Sequence, residues 1–210
     1  LGPEHLAGLG THEDAIREEL EVFAGSKRRV WLAEDPALAA RLARDVRSGD
    51  VVVRSHTTPP PPCLHHDELT YVWRSVSSKT GSITVGWKGR TREVVVPMPG
   101  EHNGRNAALA IATALAVGSP FDETVDALAT LRGPDQRCVV HELPSGIVLI
   151  DDSYNASPSS IAAALDVLGT FADREKVVVL GDMLDLGGES EMWHRAIAPK
   201  ISSLQNTHVR

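Results

Sequence analysis

The stretch Ile147-Val148-Leu149-Ile150-Asp151-Asp152-Ser153-Tyr154-Asn155-Ala156-Ser157-Pro158 sets the reading of the whole chain. An apolar run stops abruptly at two adjacent carboxylates, and a polar turn follows. Ser157 is a good helix N-cap, and Pro158 suits the first helical position because its missing N–H would be unpaired there. Ile161, Ala164, Leu165 and Leu168 then recur at helical spacing. The order is strand, polar loop, helix, and loops leaving the carboxyl ends of strands are where α/β sheets usually bind ligands. The plainer alternative is that Asp151 and Asp152 end a strand and solvate a turn.

Upstream, Cys138 to Glu142 pairs with Ile147 to Ile150 as a hairpin around Pro144-Ser145-Gly146. Gly133-Pro134-Asp135-Gln136-Arg137 has linker chemistry and marks a boundary between residues 1–133 and 134–210. Downstream, Lys176 to Gly181 reads as a buried parallel strand running into Asp182-Met183-Leu184-Asp185-Leu186-Gly187. A last helix begins near Ser190, Pro199 should kink or end it, and no further strand is expected before Arg210.

Nearer the start, Thr11 and Asp14 form a capping pair ahead of a helix whose Ile16, Leu20 and Phe23 share a face. Glu19 lies about 60° from that face at 100° per residue, so its carboxylate borders the buried side. His5 with this acid-rich helix could ligate a cation, or be a surface histidine beside a solvated face. Arg29 to Leu32 and Val51 to Val53 read as strands with a helix, Ala37 to Arg47, between them. Pro59 to Pro62 is a stiff connection. The nearby His56, Cys63, His65, His66 and Asp67 match no zinc spacing and read as a polar loop.

Leu69 to Trp73, Gly81 to Trp87 and Arg92 to Val96 form a β-meander, with hairpin residues at Trp87-Lys88-Gly89-Arg90. Pro97-Met98-Pro99-Gly100-Glu101-His102-Asn103-Gly104 then leads into an Ala-rich helix, Arg105 to Val117, closed by Gly118. Asn103 and Asn106 sit one turn apart at its start. An Asn amide offers one donor and one acceptor, which suits an adenine edge. Capping by Asn103 alone would leave Asn106 unexplained. Pro120 to Leu131 is another helix.

The 210 residues suffice for one large domain or two small ones. Hydrophobic content of 42% and charge of 23% are ordinary for a globular chain. A net charge of -7 argues against a general nucleic-acid binder and leaves a local anion site open. Two cysteines, Cys63 and Cys138, do not make a disulfide framework and fit a reducing compartment. No run is long enough to span a membrane.

Taken together, "GPEHLAGLGTHED", "PGEHNGRNAALAIATAL", the arginine of "PDQRC", "DDSYNASPSSIAAAL" and "VVVLGDMLDLGGESEMWH" resemble the Mur ligases, ATP-dependent enzymes that build the peptide of cell-wall precursors. "DDSYNASP" and "LGDMLDLG" most resemble the member that joins D-alanyl-D-alanine to UDP-N-acetylmuramoyl-tripeptide. The resemblance implies an α/β fold. Residues 1–133 would be the later part of a central ATP-binding domain, and 134–210 the first part of a Rossmann-like carboxyl-terminal domain. In the family, ATP binds between these domains.

Roles follow from the same resemblance. Asn103 and Asn106 match the adenine-contacting pair. Arg137 matches the linker arginine that reaches the nucleotide phosphates, and Asp152 the acid that holds the ribose. His5 matches a magnesium ligand. Glu19 stands where the family carries a carbamylated lysine, fourteen positions after that histidine. The implied chemistry is phosphorylation of a substrate carboxylate by ATP, then displacement of phosphate by an amine to give an amide. The expected setting is cytoplasmic, with ATP and magnesium, small-molecule substrates, no nucleic acid and a monomer. The Gly-rich phosphate loop, G-x-x-x-x-G-K-[ST], is absent from these residues. That keeps two alternatives open: a family ligase with another substrate, and a non-catalytic module lacking phosphate loop and lysine.

Overall fold

A computed structural model describes residues 8, 10–34, 38, 44–58 and 66–209. The chain divides into two compact units, one of residues 21–132 and one of residues 133–210 with the amino-terminal stretch through Leu20. Among the described residues, no helix is long and apolar enough to cross a membrane.

The unit of residues 21–132 is built on a five-stranded sheet, with neighbours in the order β1 (Val30–Leu32), β2 (Val51–Ser55), β3 (Asp67–Ser75), β4 (Gly81–Trp87) and β5 (Arg90–Val96). The first three strands run parallel, and β3, β4 and β5 form the antiparallel meander. Lys88 and Gly89 turn the last hairpin with φ of 46° and 78°. Positive φ at both central positions gives a turn whose twist matches the flanking strands.

A long helix, Glu101–Ala116, and a short one, Phe121–Leu128, cover one face of this sheet. Val51, Val53, Leu69, Ile83, Val85 and Val96 meet Ala107, Ala108, Ile111, Ala112 and Val125 there, and all are buried. The run of alanines lets the helix axis come close to the strands. On the other side, Trp31 and Val52 are cross-strand partners and both are buried. That leaves β2 covered on both faces, as its unbroken Val51-Val52-Val53 run demands.

Beside Trp31 lies a buried ion pair. Arg29 donates from Nε to Asp50 Oδ1 at 3.1 Å and from Nη2 to Oδ2 at 2.6 Å. Trp31 Nε1 and the Arg47 amide also donate to Oδ2, at 3.0 and 2.9 Å. Burial alone would push the Asp50 carboxyl up. The bonds from Arg29, Arg47 and Trp31, with the Arg29 charge, outweigh it and hold the group below its ordinary value.

The Ala-rich helix begins at Glu101, four residues before the expected Arg105. Gly100, with φ of 88°, is its last non-helical residue. Gly104 then lies inside the helix because the Trp73 indole occupies the space a Cβ would need, and the same ring lies against Gly81 of β4. The expected helix from Ala37 to Arg47 and the Pro59 to Pro62 connection fall largely or wholly outside the described residues.

In the other unit, β6 (Val139–Glu142) and β7 (Val148–Asp151) make an antiparallel hairpin in its own two-stranded sheet. The helix Pro158–Gly169 follows, then β8 (Lys176–Val178), a 3-10 turn at Gly187–Glu189, the helix Ser190–Ser203, and β9 (Thr207–Val209) parallel to β8. The two helices pack Ile161, Leu165 and Ile197 against Val178, Met183 and Leu186.

Three expectations for this unit are corrected. A further strand does precede the end: Thr207–Val209 is too short and polar to declare itself. The β8 run is not buried throughout. Lys176 and Val178 are buried while Val177 and Val179 are 60% and 77% exposed, so it alternates like a one-sided strand. Pro199 neither ends nor interrupts the last helix, which continues to Ser203. Pro199 lies on the exposed side, where water can satisfy the Arg195 carbonyl that lost its intrahelical donor.

Candidate functional site

Asp151 is the last residue of β7, and Asp152 follows just beyond it. The strand belongs to a hairpin rather than to a parallel sheet, so it is the turn after β7 that presents the acids. Their surroundings differ. Asp151 Oδ1 accepts from the Ser153 hydroxyl at 2.6 Å and the Ser153 amide at 3.1 Å, and these bonds hold its carboxyl below the ordinary value. Asp152 Oδ1 accepts from the Cys138 amide at 2.9 Å. Burial dominates at Asp152 and raises its carboxyl, with the Cys138 bond and the Arg137 charge working the other way.

The segment before β6 is thereby fastened to the segment after β7. The Tyr154 amide donates to the Gln136 carbonyl at 3.1 Å. The Arg137 guanidinium carbon lies 4.1 Å from the centroid of the Tyr154 ring. Gln136 and Cys138, on either side of Arg137, have φ of 60° and 56°, a region unfavourable for residues other than glycine. Cys138 is a free, buried thiol pushed up to about 12, first by burial and then by the Asp152 charge. It is packing, not a nucleophile.

Ser157 caps the next helix as the sequence indicates, accepting from the Ser160 amide at 3.2 Å, while the Ser157 amide donates to the Ser160 hydroxyl at 3.0 Å. The loop Asp182 to Leu186 is held by His194, whose Nε2 accepts from the Met183 amide at 3.1 Å. Its Nδ1 lies 2.8 Å from the Ser190 carbonyl. His194 thus ties the loop to the start of the last helix.

In the unit of residues 21–132, Asn103 and Asn106 lie in the first two turns of the helix Glu101–Ala116. Asn103 is buried, and its Nδ2 donates to the Pro99 carbonyl at 2.8 Å. Asn106 is exposed. Glu34, just past β1, accepts from the Ser55 amide and, at 3.3 Å, from the Tyr71 hydroxyl. Burial, with the Glu34 charge, pushes the Tyr71 phenol well above its ordinary value.

His5 lies outside the described residues. Thr11 and Asp14 do form the expected capping pair, with the Asp14 amide donating to Thr11 Oγ1 at 3.2 Å and the Thr11 amide to Asp14 Oδ2 at 3.2 Å. The helix they start, His12–Glu21, buries Ala15 and Ile16 and leaves Glu19 exposed. Phe23 is beyond the helix and packs edge-on to Trp31. Cys63 and His65 are outside the described residues. Among those described, no group of three or more His, Cys, Asp or Glu is placed to hold a metal ion.

Residues 136–209, which open on the Arg137 clip and run through the Asp182 loop, match the model of the Mur ligase, glutamate ligase domain. The chain belongs to the Mur ligase family. It is 29% identical over 92% of its length to the UDP-N-acetylmuramoyl-tripeptide–D-alanyl-D-alanine ligase of Escherichia coli, and 34% identical over 96% to that of Haemophilus influenzae. It spans 42% of either relative. The α/β fold is shared with solved MurF structures. The MurF ligase of Thermotoga maritima, in complex with ADP, superposes over 99% of this Mur ligase chain with a TM-score of 0.79 at 22% identity, and 46% of that structure is covered. One from Acinetobacter baumannii gives 0.74 over 99% of the chain and 44% of its own, also at 22% identity.

Tyr154, the Cys138 amide and His194 were legible in sequence only as neighbours. Tyr154 stands two residues past the acid pair, and His194 closes the "MWH" phrase, but neither spacing assigns a partner.

Proposed function

We propose that this chain is part of an ATP-dependent amide ligase of peptidoglycan precursor synthesis, one that adds D-alanyl-D-alanine to UDP-N-acetylmuramoyl-tripeptide in the cytoplasm. ATP phosphorylates the substrate carboxylate, and the acyl phosphate is a better electrophile with a better leaving group. The amine then displaces phosphate. Catalysis of this kind is mostly positioning and charge neutralisation.

The observation that carries the reading is the fastened turn that holds Arg137 and Asp152 at one end of the hairpin. Arg137 is exposed, and its N–H groups donate to no described residue. Only one oxygen of Asp152 takes a bond from a described residue. A guanidinium with unspent donors suits phosphate oxygens, and a carboxylate with an unspent oxygen suits a ribose hydroxyl. Asn103 retains a second amide hydrogen and its oxygen, and Asn106 is exposed, which suits a purine edge. A fold relative was solved with ADP. His5 and Glu19 are the residues proposed to sit near magnesium, which would help neutralise phosphate charge when bound. Glu19 is free in solvent to do so directly or through water.

The test is calorimetric titration of the 210-residue chain with ADP. Measurable binding that Arg137→Ala and Asp152→Asn each weaken supports the reading. Binding indifferent to both substitutions would refute it. A ligase with another acceptor is favoured in one respect: the UDP-N-acetylmuramate–L-alanine ligase of Acidothermus cellulolyticus is 30% identical over 71% of the chain.

A further inference from the structure

We infer that Tyr154 is a positioning residue, a platform that holds the Arg137 guanidinium ready for an anionic oxygen of the nucleotide. This rests on the proposed role of Arg137 as a phosphate contact and adds to it a residue with no role so far.

The geometry separates two uses of one guanidinium. Its central carbon lies over the Tyr154 ring, 4.1 Å from the centroid. Its N–H bonds point outward in the guanidinium plane, and among the described residues none of them donates to a protein acceptor. Stacking therefore fixes the group without consuming a donor. An ion pair with Asp152 would have fixed it too, but at the cost of the donors, and Asp152 instead takes the Cys138 amide.

The ring is itself held. Tyr154 is tied by its amide to the Gln136 carbonyl at 3.1 Å, one residue from Arg137. Gln136 and Cys138 keep φ of 60° and 56°, so the turn that aims Arg137 is costly and needs outside fastening. The tyrosine is 62% exposed, so core packing does not explain where its ring lies. An exposed arginine otherwise loses several rotors when it grips a ligand, and a stacked one has lost them beforehand. Neither Tyr154 nor its hydroxyl is required to touch the ligand, and the hydroxyl makes no hydrogen bond among the described residues.

The test uses the 210-residue chain with ADP as the probe, and Tyr154→Phe, Tyr154→Leu, Arg137→Ala and the Tyr154→Leu/Arg137→Ala double variant. Without ligand, the Arg137 Nε–Hε resonance should be shifted by the ring in wild type and Tyr154→Phe, and revert to a mobile-arginine position in Tyr154→Leu. With ADP, Tyr154→Leu should bind about 2- to 5-fold more weakly, the range for an exposed cation–π contact, and Tyr154→Phe should match wild type. The double variant should be no weaker than Arg137→Ala. Additive losses would mean that Tyr154 touches the nucleotide itself and would overturn the inference. So would an unshifted Arg137 resonance in wild type, or a Tyr154→Leu variant that binds as wild type while Arg137→Ala does not. An Arg137→Ala variant that binds as wild type removes the phosphate role instead, leaving a stacked resonance without a function.

Discussion

The Cys138 amide donates to Oδ1 of Asp152 at 2.9 Å, one step beyond the last register pair of the hairpin, Val139 and Asp151. A side chain thus supplies the next rung where the ladder stops. Removing it should cost stability. Asp152→Ala leaves a buried residue's N–H unpaired and should lower the unfolding free energy by about 1–3 kcal/mol. Asp152→Asn keeps an acceptor and should cost less than that, while both weaken ADP binding. Urea unfolding followed by circular dichroism, alongside titration, separates the two effects.

The raised carboxyl of Asp152 gives stability and binding opposite pH trends. A carboxyl raised in the folded state favours folding below its unfolded value, and that contribution is lost as pH rises through the folded value. Ribose binding needs the ionised form. ADP affinity should therefore start to fall, on acidification, above the ordinary aspartate range of about 4. Titrations between neutral and mildly acid pH should show a fall in wild type that is smaller in Asp152→Asn.

Gly104 tolerates no side chain because the Trp73 ring fills the site. Gly104→Ala should destabilise the unit of residues 21–132 by about 1–3 kcal/mol through overpacking. Trp73→Leu should relieve part of that loss, so the double variant will be less destabilised than the sum of the two. A double-mutant cycle by chemical denaturation checks this.

Asp50 and Arg29 are both buried and fully engaged. Asp50→Ala should cost about 3–5 kcal/mol by stranding the guanidinium. Because the Asp50 carboxyl is held low, its contribution is present above the unfolded value and disappears only as pH falls through the folded one. Acid unfolding of wild type should thus be steeper below pH of about 4 than that of Asp50→Asn.

The 210 residues contain no G-x-x-x-x-G-K-[ST]. They should neither hydrolyse ATP nor form an amide, even where they bind ADP. Phosphate release above background, with ATP, UDP-N-acetylmuramoyl-tripeptide and D-alanyl-D-alanine supplied, would contradict this.

Much of the fold was legible because periodicity and turn chemistry agreed. The meander, the Lys88-Gly89 turn and the Ser157-Pro158 helix start each had a pattern and a punctuating residue. The misplaced start of the Ala-rich helix has a physical cause. Pro99 and Gly100 looked like loop, and Gly104 like its continuation, but Gly104 is set by a ring from a distant strand. The burial of β8 was overread because Val177-Val178-Val179 is apolar whichever face is covered. At the site, the acids could be singled out by type, and the arginine through the family resemblance. Their fastening could not, since the Cys138 amide and the Tyr154 ring meet them only through the hairpin.

Trp193 carries a practical consequence. It donates from Nε1 to Glu189 at 3.0 Å at the start of the last helix, and it is the only tryptophan in the unit that holds residues 133–210, the other three being Trp31, Trp73 and Trp87. A variant with those three replaced would have a single emitting indole, and its colour and quenching would follow the melting of this unit alone.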